Sequence, residues 1–322
     1  MMNDLLVNLL NPPVLFFFLG LLAIALKSDL DIPQPLPKLF SLYLLLSIGF
    51  KGGVELRVGG LDAAMALTLL TAVSFAIAVP FVAFWVMKPR VGAADAAAIA
   101  ATYGSVSAVT FITATSLLAT LQIPSSGYMV AAMALMESPA IIVGVALARR
   151  AGIQSEGREG NNLWREAFFG GSVLLLMGSL VIGLLTGEEG YKSLKPFTTD
   201  IFKGILCLFL LDMGLLCGRR LSGGWRALGG FSLGFALIVP LINAFLGGIL
   251  ARMLGLEIGN AFLLVTLCAS ASYIAVPAAM RGAVPQANPG RYVTMALAIT
   301  FPFNVLVGLP LYLGAIRAFW GA

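Results

Sequence analysis

The chain has 322 residues, 59% of them hydrophobic and 11% charged, with a net charge of +5 and a mean hydropathy of +0.97. Soluble domains carry roughly 25% charged residues, so an ordinary water-soluble fold is excluded and the chain belongs in a bilayer. With no histidine, a His-based triad, proton relay or metal site is excluded too, and the basic residues call for no nucleic-acid partner because they flank apolar stretches, where they set topology and meet anionic headgroups.

Apolar runs long enough to span a bilayer are predicted at residues 13–27, 37–54, 62–87, 93–121, 127–148, 166–186, 199–218, 227–252, 259–281 and 292–318. The expected fold is therefore an all-α membrane protein of ten transmembrane helices. Ahead of the first, Met1 to Asn11 holds Asp4 but no Lys or Arg, so this span is read as retained and not as a signal peptide. The fourth span is interrupted by Tyr103-Gly104-Ser105-Val106-Ser107, followed at helical spacing by Thr110 and Thr113. In lipid, a loosened stretch survives only where it is buried in protein or lines a cavity. The fifth span carries Glu137 in Met136-Glu137-Ser138-Pro139, where Pro139 frees a carbonyl one turn earlier. A carboxylate, a hydroxyl and a loose carbonyl are hard oxygen donors suited to Na⁺.

Residues 149–165 form the longest polar stretch and separate a first five-helix unit, 1–148, from a second, 166–322. The seventh span holds Asp212, for which pairing with Lys51 or Lys203 competes with a ligand role. The three cysteines, Cys207, Cys217 and Cys268, all fall inside spans, which supports neither a disulfide framework nor a zinc site. The ninth span is interrupted by Cys268-Ala269-Ser270-Ala271-Ser272-Tyr273, and the tenth contains Phe301-Pro302-Phe303-Asn304. Intramembrane carboxylates are costly and usually face a partner or a wet cavity. Two of them on different helices, without histidine, are poor catalytic equipment, so no enzyme is expected.

The halves superpose by sequence. Ser74 to Pro80 matches Gly234 to Pro240, Ser47-Ile48-Gly49 matches Asp212-Met213-Gly214, Ser105-Val106-Ser107 matches Ser270-Ala271-Ser272, and Glu137 to Gly144 matches Phe301 to Gly308. An odd number of helices per unit makes the repeat inverted, and paired interruptions in an inverted repeat point to a midplane substrate site. Small residues at the breaks also serve close helix packing, but their recurrence in both halves favours a site. The candidate substrate set is Gly104, Ser105, Ser107, Thr110, Ser270, Ala271, Ser272 and Tyr273; the candidate sodium set is Ser107, Glu137, Ser138, Ser272 and Asn304. Tyr103 and Tyr273 are placed either to donate to an anion or to pack.

Lys and Arg set the orientation. Lys27, Lys38, Lys88, Arg90, Arg149, Arg150, Arg158, Arg165, Arg219, Arg220, Arg226, Arg281 and Arg291 lie on one side. Lys51, Arg57, Lys192, Lys195, Lys203, Arg252 and Arg317 lie on or near the other. The first side is cytoplasmic by this rule, and both termini face outward.

The chain resembles the cyanobacterial sodium-dependent bicarbonate transporters and their wider bacterial relatives over nearly its whole length. The resemblance is carried by Ile48-Gly49-Phe50-Lys51-Gly52-Gly53, Gly104-Ser105-Val106-Ser107 with Thr110, Glu137-Ser138-Pro139-Ala140, Met213-Gly214 and, most distinctively, Arg281 to Pro289, RGAVPQANP. It implies a trimeric secondary transporter of two inverted five-helix repeats in the bacterial inner membrane, bringing in bicarbonate with Na⁺ as coupling ion and using no other cofactor. It also implies a gate of helices one, two, six and seven, a core of the other six with broken helices four and nine, and an elevator-like motion. Two departures stand out. Where the cyanobacterial pattern after the second break reads Ser-Ser-Ser-Asp-Ile-Ser-Gly-Pro, this chain has Tyr273 in place of the acid. Its linker between halves is also shorter, which weakens what the resemblance implies about a PII-like regulator on the cytoplasmic face. Alternatives to bicarbonate uptake are a Na⁺-coupled carrier of another small anion, such as an organic carboxylate or sulfonate, and an anion channel or sensor.

Overall fold

The computed structural model describes residues 8–60, 62–153, 170–224 and 228–321, which are helical with short connections and contain no strand among them. In chain order the helices are α1 (Pro12–Ala25), α2 (Leu36–Gly59), α3 (Ala63–Val91), α4 (Ala93–Gly104), α5 (Ala108–Thr120), α6 (Tyr128–Arg150), α7 (Gly171–Lys195), α8 (Phe202–Gly224), α9 (Gly229–Met253), α10 (Ile258–Ala269), α11 (Ala275–Ala283) and α12 (Pro289–Trp320). Among the described residues, seven helical stretches are long and apolar enough to cross a membrane: Leu36–Gly59, Ala63–Val91, Ala93–Thr120, Tyr128–Arg150, Gly171–Ser222, Gly229–Met253 and Pro289–Trp320. Pro12–Ala25 and Ile258–Ala269 are shorter apolar helices. Lipid leaves backbone groups no external partner, which is why a chain this apolar resolves into helices.

Local chemistry sets where these helices bend. In α7 the backbone leaves helical values at Gly187, φ +60 and ψ −144, a conformation open to glycine. The carbonyls stranded just before it are taken by Arg57, whose Nη1 donates to Leu185 at 2.6 Å and to Leu184 at 3.3 Å. The sixth predicted span ends at 186, one residue before this kink, and a widened turn over Pro196–Asp200 leads toward α8. Residues 292–318, expected as a plain helix, instead carry two widened turns, Thr294–Thr300 and Asn304–Gly308. Pro302 and Pro310 explain the departure, since neither can donate the amide that a regular ladder requires.

Packing follows the glycines. α2 runs against α7 and α1 against α8. A Cβ on Gly53 would run into the Leu180 carbonyl, and one on Gly214 into the Phe17 carbonyl, so each helix pair approaches at the distance that only small residues allow. Elsewhere α3, α4 and α6 pack together, α9 packs on α10, and α10 on α12. The two groups meet where α2 and α7 touch α6 and where α8 touches the widened turn of α12. Residues 154–169, most of the polar linker with Arg158 and Arg165, and Arg226 lie outside the described residues.

Candidate functional site

The fourth and ninth predicted spans are each broken where the sequence marks them. α4 ends at Gly104, Ser105 is extended at φ −86 and ψ 176, and α5 begins after its N-cap Ser107. α10 ends at Ala269, Ser270 is extended at φ −86 and ψ 168, and α11 begins at Ala275. The breaks brace each other through two hydrogen bonds: the Ser107 amide donates to Ser270 Oγ at 2.9 Å, and the Ser272 amide to the Thr102 carbonyl at 2.9 Å. Thus the carbonyl ends of α4 and α10 and the amide ends of α5 and α11 meet, opposing partial charges at one crossing.

Against this crossing lies a cavity of about 30 Å³, lined by both breaks and by helices from outside them. By volume it holds one or two water-sized groups. Ser107, Glu137, Ser272 and Tyr273 line it, and so do Ser41 of α2 and Ser172 of α7. Ala108 and Val109 line it as well. In the first turn of α5 the Thr110 amide is taken by Ser107 Oγ at 3.2 Å and the Phe111 amide by the Ser107 carbonyl at 3.1 Å. The amides of Ala108 and Val109 have no acceptor among the described residues, as expected for a helix start. The wall therefore offers a carboxylate and hydroxyls in a mostly apolar setting, with the start of α5 beside them. An anion and a cation bound side by side there would attract each other more strongly than in water.

The remaining predicted residues sit around this cavity and do not line it. Gly104 is pressed against Pro80, so its missing side chain serves close packing. Ser105 Oγ donates to the Glu137 carbonyl at 3.3 Å, tying the first break to α6. Ser270 Oγ, besides accepting from Ser107, donates to the Leu267 carbonyl at 3.0 Å. Ala271 and Ser138 are buried nearby. Thr110 Oγ1 is buried without a partner, and Thr113 Oγ1 turns back to the Val109 carbonyl at 2.8 Å.

Asn304 is a prop at this site. Its Nδ2 donates to the Ala269 carbonyl at 2.8 Å and its Oδ1 accepts from the Tyr312 hydroxyl at 2.8 Å, fixing the end of α10. The two tyrosines differ. Tyr103 shares a hydrogen bond of 2.8 Å with Thr300 Oγ1 and stacks edge-on to Phe235, so packing is the reading the structure supports for it. Tyr273 keeps a buried hydroxyl without a hydrogen bond and leans its ring on Phe301, centroids 5.4 Å apart. The expected structural pairing of Asp212 is overturned. Lys51 pairs with Glu55 at 3.7 Å, Lys203 donates to Thr120 at 3.4 Å, and Asp212 Oδ2 is buried with no partner.

Four contributors were missed in the sequence. Ala108 and Val109 line the cavity at the start of α5; N–H donors at such a half-helix start are expected from the break and the N-cap serine at 107, but apolar side chains do not single these two residues out. Ser41 and Ser172 are single serines in apolar stretches with no counterpart in the repeat pattern.

The fold and site define a multi-pass membrane protein with a small, ion-sized cavity, carrying a few polar groups in an apolar wall, at two crossed helix breaks. Residues 12–317 match the profile of the Na⁺-dependent bicarbonate transporter superfamily. The chain belongs to that family, and is a transporter and not an enzyme. No curated protein matches it.

Proposed function

We propose that this chain takes up bicarbonate together with Na⁺ as a secondary active transporter. The observation carrying the proposal is the ion-sized cavity lined at once by Glu137, by Ser107 and Ser272 of the two breaks, and by Ala108 and Val109 at the start of α5. The amides and hydroxyls suit an oxyanion, and Glu137 with Ser107 and Ser272 suits Na⁺. Bound Na⁺ offsets the negative charge that Glu137 and the anion would otherwise bring together, so the anion binds better beside the cation than without it.

In the architecture we propose, ten spans form two inverted five-helix repeats. The shorter α1, the turn between α7 and α8, and α10 with α11 complete the count beyond the seven long stretches. α1, α2, α7 and α8 are the gate, the other helices are the core, and the core slides along the gate like an elevator. Ser41 and Ser172 reach the cavity from the gate side, which supports a site lying at the sliding surface. The assembly is proposed to be a trimer in the bacterial inner membrane with both termini outside. The shorter linker gives a PII-like regulator little to bind.

Uptake of labelled bicarbonate into proteoliposomes, with and without an inward Na⁺ gradient, tests the proposal. Faster uptake with the gradient is expected; equal uptake sinks the coupling, and none sinks the substrate. The second reading, another small anion, is favoured by the free Tyr273 hydroxyl standing where the family has an acid. A thermal-shift screen of anions with Na⁺ separates the two.

A further inference from the structure

Between α9 and α12, away from the helix breaks, lies a second and far larger cavity of about 480 Å³, walled almost wholly by apolar side chains. Leu241, Phe245 and Ile249 of α9 and Leu311, Ile316 and Phe319 of α12 line it. Its depth depends on Gly248: a Cβ built there would meet only Val265 Cγ2, at 3.9 Å. One charged residue, Arg252, closes one end. Its guanidinium lies 5.2 Å from the ring centre of Trp320, and Trp320 is held in turn by its Nε1 donating to the Leu256 carbonyl at 2.7 Å. Arg252 is exposed and forms no ion pair among the described residues.

We propose that this groove binds one glycerophospholipid with a net negative headgroup, its phosphate on Arg252 and one acyl chain along α9. Two observations select that occupant. The rise from Leu241 to Arg252 is about 16 Å at ~1.5 Å per residue, half of the roughly 30 Å hydrocarbon core. The groove therefore runs from the headgroup level to the midplane, the reach of a chain in one leaflet. Its single cation, paired with an interfacial tryptophan, sits where a headgroup phosphate lies. Apolar surface in lipid gains little from contact with apolar surface, so selectivity comes from the charge at Arg252 and from the depth that Gly248 leaves open. The inference requires membrane insertion and is independent of what the carrier moves.

The test is the thermal midpoint of the purified full chain in detergent, titrated with dioleoyl phosphatidylglycerol or dioleoyl phosphatidylcholine. Ligand binding to the folded state raises Tm. The wild type is expected to rise by a few degrees more with the anionic lipid than with the zwitterionic one. Arg252→Ala should remove that difference. Gly248→Leu should abolish stabilisation by both lipids while leaving the lipid-free Tm at or above the wild-type value, because leucine favours helix and enters open space. Equal lipid responses in the wild type and both variants would mean ordinary annular lipid and overturn the proposal. So would a change of oligomeric state in Gly248→Leu, since the groove would then be seated by a second copy of the chain.

Discussion

Proline in a spanning helix strands a carbonyl one turn earlier, and two such carbonyls here are met by side chains from other helices. Pro240 leaves the Ala236 carbonyl free, and Thr300 Oγ1 donates to it at 2.7 Å while sharing a bond with Tyr103. Pro302 leaves the Ala298 carbonyl free, and Cys217 Sγ sits 3.7 Å from it. Thr300→Val keeps the shape but leaves a buried carbonyl and a buried tyrosine hydroxyl unsatisfied. It should lower stability by about 1–3 kcal/mol, read as a lower Tm, whereas Cys217→Ala should cost less because a thiol is a weak donor. At the cavity, Glu137→Gln keeps volume and removes charge. It should weaken the Na⁺ dependence of bicarbonate uptake more than the rate at saturating Na⁺, and an unchanged Na⁺ half-saturation would remove Glu137 from the cation site.

Helix against helix, the glycine seams separate packing from conformational freedom. Gly53 and Gly183 lie where added carbon would strike the Leu180 and Phe50 carbonyls, while Gly178 in the same α7 has nothing within 4 Å. Gly53→Leu should therefore cost about 1–3 kcal/mol or more through overpacking. Gly178→Ala should stabilise by up to about 1 kcal/mol through helix propensity; thermal melts of both variants measure the contrast. A different tie joins the loop after α1 to α8, where Arg219 Nη2 meets Asp31 Oδ1 at 2.7 Å. The hydrogen bond from Arg219 holds the Asp31 carboxyl below its ordinary range. A carboxylate depressed on folding adds stability above its unfolded pKa and loses it as pH falls through the folded value. The pair is exposed, so its effect is small. Asp31→Asn should flatten the acid limb of the Tm-against-pH curve slightly and leave the neutral region nearly unchanged.

Across the whole molecule, what could be read in advance was whatever side chains had to declare. Ser105 to Ser107 and Ser270 to Ser272 mark both breaks because small polar residues are out of place in an apolar run, and Glu137 marks the cavity because a buried carboxylate needs a reason. Ala108 and Val109 carry no polar side chain to mark them, and the part played by Asn304 depended on Tyr312 lying eight residues on, about two turns along α12. For Asp212 the sequence left pairing and a ligand role open, and the two lysines offered as partners are engaged by Glu55 and Thr120 in space. Orientation is the remaining property that rests on sequence pattern, through the excess of Lys and Arg around Lys88, Arg90, Arg149 and Arg150 over that around Lys51, Arg57 and Lys192. Cysteine labelling tests it in intact cells. Cys217 and Cys268 are buried and Cys207 is half-buried, so with Cys207→Ser as background a new surface thiol dominates the signal. Lys192, 72% exposed beyond the Gly187 kink, should react as Lys192→Cys with a membrane-impermeant maleimide added outside. Arg150→Cys, at the end of α6, should react only after the cells are opened. The reverse pattern would invert the molecule in the membrane and place Arg149 and Arg150 on the outer face, against the rule that cytoplasmic loops hold the excess of Lys and Arg.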